Sequence, residues 1–258
     1  MRSIALFMLG LLLLLGAPAR AETSCVIYQL NEIIRNGHHN GNVFRTIRSL
    51  TAYLETLGDP FSHSLHALTA KDHWVDLGCG DACAISDYQH GFAKETSAGA
   101  RVTGITYKYE RKKRDVNVLP GNYFEEVPMG KIGKAKLITD VYGVLAYTTT
   151  FSADLQKAIN LLEPNGELYV YLGDLGELEQ STVELIDGNK VGLVDWIKKI
   201  PGVEVEIAGK TLRLRKLGVR PVHLPVLNLE SAETPPGPHY KDWPVHIRHF
   251  RETARSLG

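Results

Sequence analysis

The sequence predicts an α/β fold: one open, mostly parallel sheet with helices on both faces. Three observations predict it. Between residues 73 and 217, short apolar runs alternate with amphipathic helical stretches, as in a series of βαβ units. The first run ends in Gly78-Cys79-Gly80, a glycine turn placed between a strand and a helix. The last two runs, Val203–Ala208 and 211–217, are joined through Gly209 by a link too short for a crossover helix, so they pair antiparallel.

The elements follow in order. Residues 1–21 read as a cleavable export signal: Arg2, an apolar run from Ile4 to Leu15, and the small-residue pattern Ala19-Arg20-Ala21. The run is shorter than the roughly 20 apolar residues that span a bilayer, so no stable membrane anchor is expected. Residues 22–70 read as a helical cap. Ile27, Leu30, Ile33 and Ile34 recur at helical spacing, as do Phe44, Ile47, Leu50 and Leu54. The loop 36–41 separates the two stretches, and Gly58-Asp59-Pro60 ends the second.

Residues 71–218 form the main domain. His73–Leu77 is its first strand, and Asp81 can cap a helix over 82–94. Strands follow at 101–107, 115–119 and 135–141. Ser152 reads as the N-cap of a helix carrying Leu155, Ile159 and Leu162 on one face. Pro164-Asn165-Gly166 turns the chain into a strand at 167–172. A helix over 191–200 precedes the antiparallel pair. The tail, 219–258, is rich in Pro and His, extended around 234–238, with a short helix over 246–257.

Composition excludes some functions. Lys+Arg and Asp+Glu are both 29, so no basic surface argues for nucleic acid. The run Arg111-Lys112-Lys113-Arg114 reads as a solvated patch. Cys25, Cys79 and Cys83 have no zinc spacing and read as small buried hydrophobes. His246 and His249, three apart, could share a helix face, but no carboxylate or cysteine accompanies them, and no metal site is expected.

Asp76-Leu77-Gly78-Cys79-Gly80-Asp81 resembles the first motif of class I S-adenosylmethionine-dependent methyltransferases. A dinucleotide fingerprint would want a further glycine where this chain has Cys83. The resemblance runs from His73 to Leu217. Val102-Thr103-Gly104-Ile105-Thr106, Gly121-Asn122-Tyr123, 137–142 and Leu161-Leu162-Glu163-Pro164-Asn165-Gly166-Glu167-Leu168 look like the later motifs in order. It implies a Rossmann-like seven-stranded sheet of order 3-2-1-4-5-7-6 with the last strand antiparallel.

The resemblance also implies roles. Asp76, Leu77, Gly78, Cys79 and Gly80 would hold the methionine part of S-adenosylmethionine. Thr106, with Tyr107, stands where the family carries a ribose-binding acid, a departure that weakens the contact. Asn122, beside Tyr123, stands where the adenine amine meets an Asp. Asp140 and Tyr142 lie where the methyl acceptor is met, and Asp140 would also touch the cofactor. Asp140 reads equally as a general base and as a turn-capping Asp. The implied function is an exported methyltransferase acting on a small molecule or a protein; the alternative is an inactive methyltransferase-like binding protein. An aminopropyl transferase would want an acidic pair that is missing.

Overall fold

A computed structural model describes residues 28–33, 40–45, 48–93, 99–106, 116–120, 124–173, 176–233 and 247–253. The expected export signal, the basic run at 111–114, Tyr107, Asn122, Tyr123 and His246 lie outside the described residues.

The first half of the expected helical cap is instead a hairpin, β1 (Tyr28–Ile33) against β2 (Asn40–Arg45). Apolar residues at helical spacing, such as Leu30 and Ile33, do not by themselves settle a stretch this short. Helix α1 (Leu50–His66) is as expected in its first turns. Ser49 caps it by accepting from Ala52 N–H at 3.2 Å, and Leu50, Tyr53, Leu57, Phe61 and Leu65 form its buried stripe. Gly58-Asp59-Pro60 bends the helix without ending it: Gly58 takes φ +74°, and the chain resumes helix to His66.

The main sheet contains β3 (His73–Leu77), β4 (Arg101–Thr106), β5 (Val118–Pro120), β6 (Ala135–Asp140), β7 (Leu162–Tyr171), β10 (Val203–Ala208) and β11 (Thr211–Lys216). Their spatial order is β5-β4-β3-β6-β7-β11-β10, and β11 runs antiparallel to both neighbours. Counting these seven strands alone, this is the expected 3-2-1-4-5-7-6 Rossmann-like sheet. β7 starts earlier than expected, with Asn165 at φ 59°.

β3 is buried on both faces, as a central parallel strand must be. Its alternation divides the core in two. Val75 and Leu77 join Ile138, Leu168 and Val170 beneath α5 (Phe151–Leu161). Trp74 points the other way, into a layer with Val102, Leu137, Tyr169 and α1. The helix after β3 is α2 (Cys83–Asp87), continued by a π-turn over Tyr88–Phe92. Three single-turn helices complete the connections: α3 (Met129–Ile132), α4 (Val144–Tyr147) and α6 (Glu177–Gln180). The expected helix over 191–200 shortens to α7 (Leu193–Ile197).

A second sheet was not legible beforehand. It has the order β12-β13-β8-β9, from β8 (Thr182–Glu184), β9 (Lys190–Gly192), β12 (Val226–Glu233) and β13 (Ile247–Thr253). The tail expected to be a helix over 246–257 is thus a strand from 247 to 253, and His249 lies in it, bonded to Thr182 at 2.8 Å. Ser152 does not cap α5, whose N-cap is Thr150. Ser152, Gln156 and Asn160 form a row along α5, and each accepts a backbone N–H of the tail: Leu227 at 2.9 Å, Leu224 at 2.8 Å and Val222 at 2.7 Å. Their i, i+4 spacing pins the tail to the helix and starts β12.

Candidate functional site

The strand order reverses between β3 and its neighbours β4 and β6, and open α/β sheets bind ligands outside the carboxyl ends of strands at such a point. The residues singled out in β3, β4 and β6 meet at this edge.

The glycine loop is tied down there. Gly78 N–H and Cys79 N–H both donate to Ile105 O, at 2.8 and 3.0 Å. Those two amides face β4, not the open edge. Gly78 takes φ +81°, and a Cβ on it would lie 2.3 Å from Gly143 Cα. Gly143, in the turn after β6, answers it: a Cβ there would lie 1.8 Å from Leu77 O. The two glycines let the loops touch. Gly80 differs. It takes φ +53°, and a Cβ on it would meet nothing within 4 Å. The loop therefore opens onto space at Gly80. Cys79 Sγ packs against β4, 2.5 Å from where a Gly104 Cβ would sit. Cys79 keeps its thiol, whereas Cys83 is disulfide-bonded and is no buried thiol.

Asp76 is 1% exposed and anchors the loop from below. Tyr53 Oη donates to both its oxygens, at 3.0 and 3.2 Å, and Thr139 Oγ1 donates to Oδ1 at 2.8 Å. Trp74 Nε1 donates to that same Thr139 hydroxyl at 2.9 Å. Burial pushes the Asp76 carboxyl up to about 6, opposed by the Thr139 and Tyr53 hydroxyls. Burial and the neighbouring Asp76 push the Tyr53 phenol well above its ordinary value, so it stays a donor.

Asp140 is also 1% exposed. Its Oδ1 accepts from Gly143 N–H at 2.9 Å and its Oδ2 from Leu145 N–H at 2.8 Å. That is the arrangement of a turn-capping Asp. Burial pushes its carboxyl up to about 7, against those two N–H bonds. Tyr142 stands at φ 51°, a left-handed conformation that strains a non-glycine residue. Arg48 lies 4.5 Å over its ring and donates to Val141 O at 2.5 Å, while Tyr171 meets its edge at 5.0 Å. Thr106 is buried at the end of β4.

Sequence reasoning missed Tyr53, Arg48, Gly143 and Arg248. Tyr53 lay in view as the polar-tipped residue in the Leu50-Leu57 stripe, and Gly143 directly follows Tyr142. Nothing in the sequence singles out Arg48 or Arg248 from the other charged residues. A groove of about 420 Å³ lies between the first turn of α5 and β12, but none of the motif residues lines it. Among the described residues, no group of three or more His, Cys, Asp or Glu could hold a metal ion.

No protein-family profile matches the chain, and no curated protein matches it. Solved structures do match. A protein provisionally described as a caffeoyl-CoA O-methyltransferase from Staphylococcus aureus is 14% identical over 67% of this chain and 85% of its own, with a TM-score of 0.42. The CcbJ methyltransferase from Streptomyces caelestis is 15% identical over 61% and 88%, at 0.41. The N-methyltransferase NodS from Bradyrhizobium japonicum WM9 is 12% identical over 62% and 98%, at 0.37. Likeness at these scores carries no argument about activity; the fold rests on the strand order itself.

Proposed function

We propose that the protein binds S-adenosylmethionine at the glycine-loop edge of its main sheet and transfers the methyl group to an acceptor. The observation that carries this reading is the open space over Gly80, at the switch point of a 3-2-1-4-5-7-6 sheet. A glycine with φ +53° and room beyond it lets backbone approach a ligand closely.

The chain's residues fit such a ligand. Gly80 would lie under its amino-acid part. Asp76 would hold the loop from below and make that edge negative. Thr106 would offer a hydroxyl to the ribose. When bound, S-adenosylmethionine supplies a methyl group already activated on a sulfonium, so the protein's main work is alignment. Tyr142, fixed between Arg48 and Tyr171, would face the acceptor. Asp140 would hold the turn that carries Tyr142. It acts as a base only if the acceptor draws it away from the Gly143 and Leu145 N–H groups.

We also propose export, with cleavage after Ala21. The Arg2 start, the apolar run and Ala19-Arg20-Ala21 support it. So does the disulfide at Cys83, since disulfides persist in oxidising compartments. No described helix is long and apolar enough to cross a membrane.

Isothermal titration of the purified protein with S-adenosylmethionine and S-adenosylhomocysteine tests the reading. Saturable binding of both, with methyl transfer to an added acceptor library, is expected. Binding without transfer to any acceptor would favour the inactive binding protein. Absence of binding at millimolar ligand would end the proposal.

A further inference from the structure

Two side chains from distant parts of the chain meet on the backbone of one residue. Leu145 N–H donates to Asp140 Oδ2 at 2.8 Å, and Leu145 O accepts from Arg248 Nη2 at 2.6 Å. On either side, Gly143 N–H donates to Asp140 Oδ1 at 2.9 Å and Thr148 O accepts from Arg248 Nη1 at 2.6 Å. Four backbone groups between 143 and 148 are therefore held by a carboxylate from β6 and a guanidinium from β13. These are the turn and the single-turn helix α4 that follow the strand.

The position of Arg248 is costly for a packing role alone. The residue is 4% exposed, and its Nε has no hydrogen-bond partner among the described residues. Burying a cation needs compensation. Its guanidinium carbon lies 5.4 and 5.5 Å from the Phe151 and Phe250 rings. Its own N–H donates to Ser181 Oγ at 2.9 Å, which fixes the strand behind it. The turn it holds contains Gly143, the residue that bears on Gly78.

We propose that Arg248 is a positioning residue for the glycine loop: with Asp140 it clamps the turn after β6, so that the C-terminal sheet sets the ligand-binding edge. The clamp itself is independent of the ligand; only its effect on affinity rests on the function proposed above.

The charges facing Asp140 give the clamp a signature. Asp76 from β3 raises its pKa, Arg248 from β13 lowers it, and the Leu145 and Gly143 N–H groups of the turn lower it too. Tyr147 of α4 also faces Asp140, and itself feels Arg48 and Glu177. Removing the guanidinium moves the Asp140 carboxyl further upward.

The test compares wild type with Arg248→Lys and Arg248→Met, as full chains. The first readout is hydrogen exchange at Leu145 and Gly143, with the β11 amides as an internal reference. Protection at the two turn amides is expected to fall about tenfold in Arg248→Met, the loss of ~1.4 kcal/mol of local stability, and less in Arg248→Lys. The β11 amides should not change. Unchanged turn protection, or an equal fall in β11, overturns the clamp. The second readout is S-adenosylhomocysteine affinity against pH. The Asp140 midpoint of that profile should move to higher pH in Arg248→Met and be absent in Asp140→Asn, leaving the step of Asp76. A midpoint that stays in place in Arg248→Met, where only stability has fallen, also overturns the clamp. If Arg248→Met does not fold, the exchange readout in Arg248→Lys decides: a smaller fall at the two turn amides with β11 unchanged is expected, and unchanged turn protection or an equal fall in β11 overturns the clamp. Wild type that binds no S-adenosylhomocysteine sinks the proposed function, and the exchange data still decide the clamp.

Discussion

Replacing Tyr53 by Phe removes one hydroxyl and keeps the ring that packs 6.4 Å from Trp74. The hydroxyl donates to both oxygens of Asp76, which is buried and shifted up to about 6. The loss depends on the charge of that carboxyl. Hydrogen bonds to charged groups contribute about 1.5–3 kcal/mol, and those between neutral groups about 0.5–1.5. At pH 8 Asp76 is ionised, and Tyr53→Phe should destabilise by about 2 kcal/mol. At pH 5 it is mostly protonated, and the loss should fall to about 1 kcal/mol. The sign agrees with linkage. A carboxyl whose folded pKa is raised contributes stability that is full below its unfolded pKa and fades as pH rises through about 6. Losing the donor raises that pKa further, so the variant loses more than wild type over the same rise. Asp140 titrates in both proteins and largely cancels in the difference. Urea unfolding of both proteins at pH 5 and pH 8 measures this. An equal loss at the two pH values, or a larger one at pH 5, would refute the account of Asp76 as the buried anchor of the loop.

Other predictions follow from the same geometry. Gly143→Ala should destabilise by about 1–3 kcal/mol, because its Cβ would fall 1.8 Å from Leu77 O and the turn must move; Gly130→Ala, whose Cβ meets nothing within 4 Å, should not destabilise, and thermal melts of the pair check both. Thr106→Asp should tighten S-adenosylhomocysteine about tenfold by restoring a charged ribose acceptor, as read by titration calorimetry; an unchanged or weakened affinity would remove Thr106 from the ribose contact. Intact-mass analysis of the exported protein should give Glu22 as the first residue, and a mature protein still carrying 1–21 would refute the export signal.

The central sheet was legible because its signals are local. Each strand is a short apolar run with a turn residue at its end, and Gly78-Cys79-Gly80 marks the switch point. The close spacing across Gly209 alone fixed the antiparallel pair. The second sheet was not legible because its strands depend on distant partners. β8 and β9 are three residues each, and β13 lies parallel to β8 across some 65 positions of sequence. Ser152 looked like a cap because the i, i+4 row it shares with Gln156 and Asn160 has meaning only once the tail lies against α5. The hairpin at 28–45 was misread as helix for a similar reason: a few apolar residues in a short stretch fit more than one period. In the site, motif residues were legible by type, but their engagement was not. That Asp76 is met by Tyr53, and that Asp140 and Arg248 share the backbone of Leu145, follows from contacts that only the fold brings together.

The measurement that bears most directly on the central claim is S-adenosylhomocysteine binding by wild type and Gly80→Val, side by side, in titration calorimetry. Gly80 is the loop residue that faces open space at φ +53°, so a valine there would both strain the loop backbone and occupy the ligand's room. The account predicts saturable binding by wild type and none by a folded Gly80→Val. Equal affinity in the two proteins, or no binding by wild type at millimolar ligand, would contradict it.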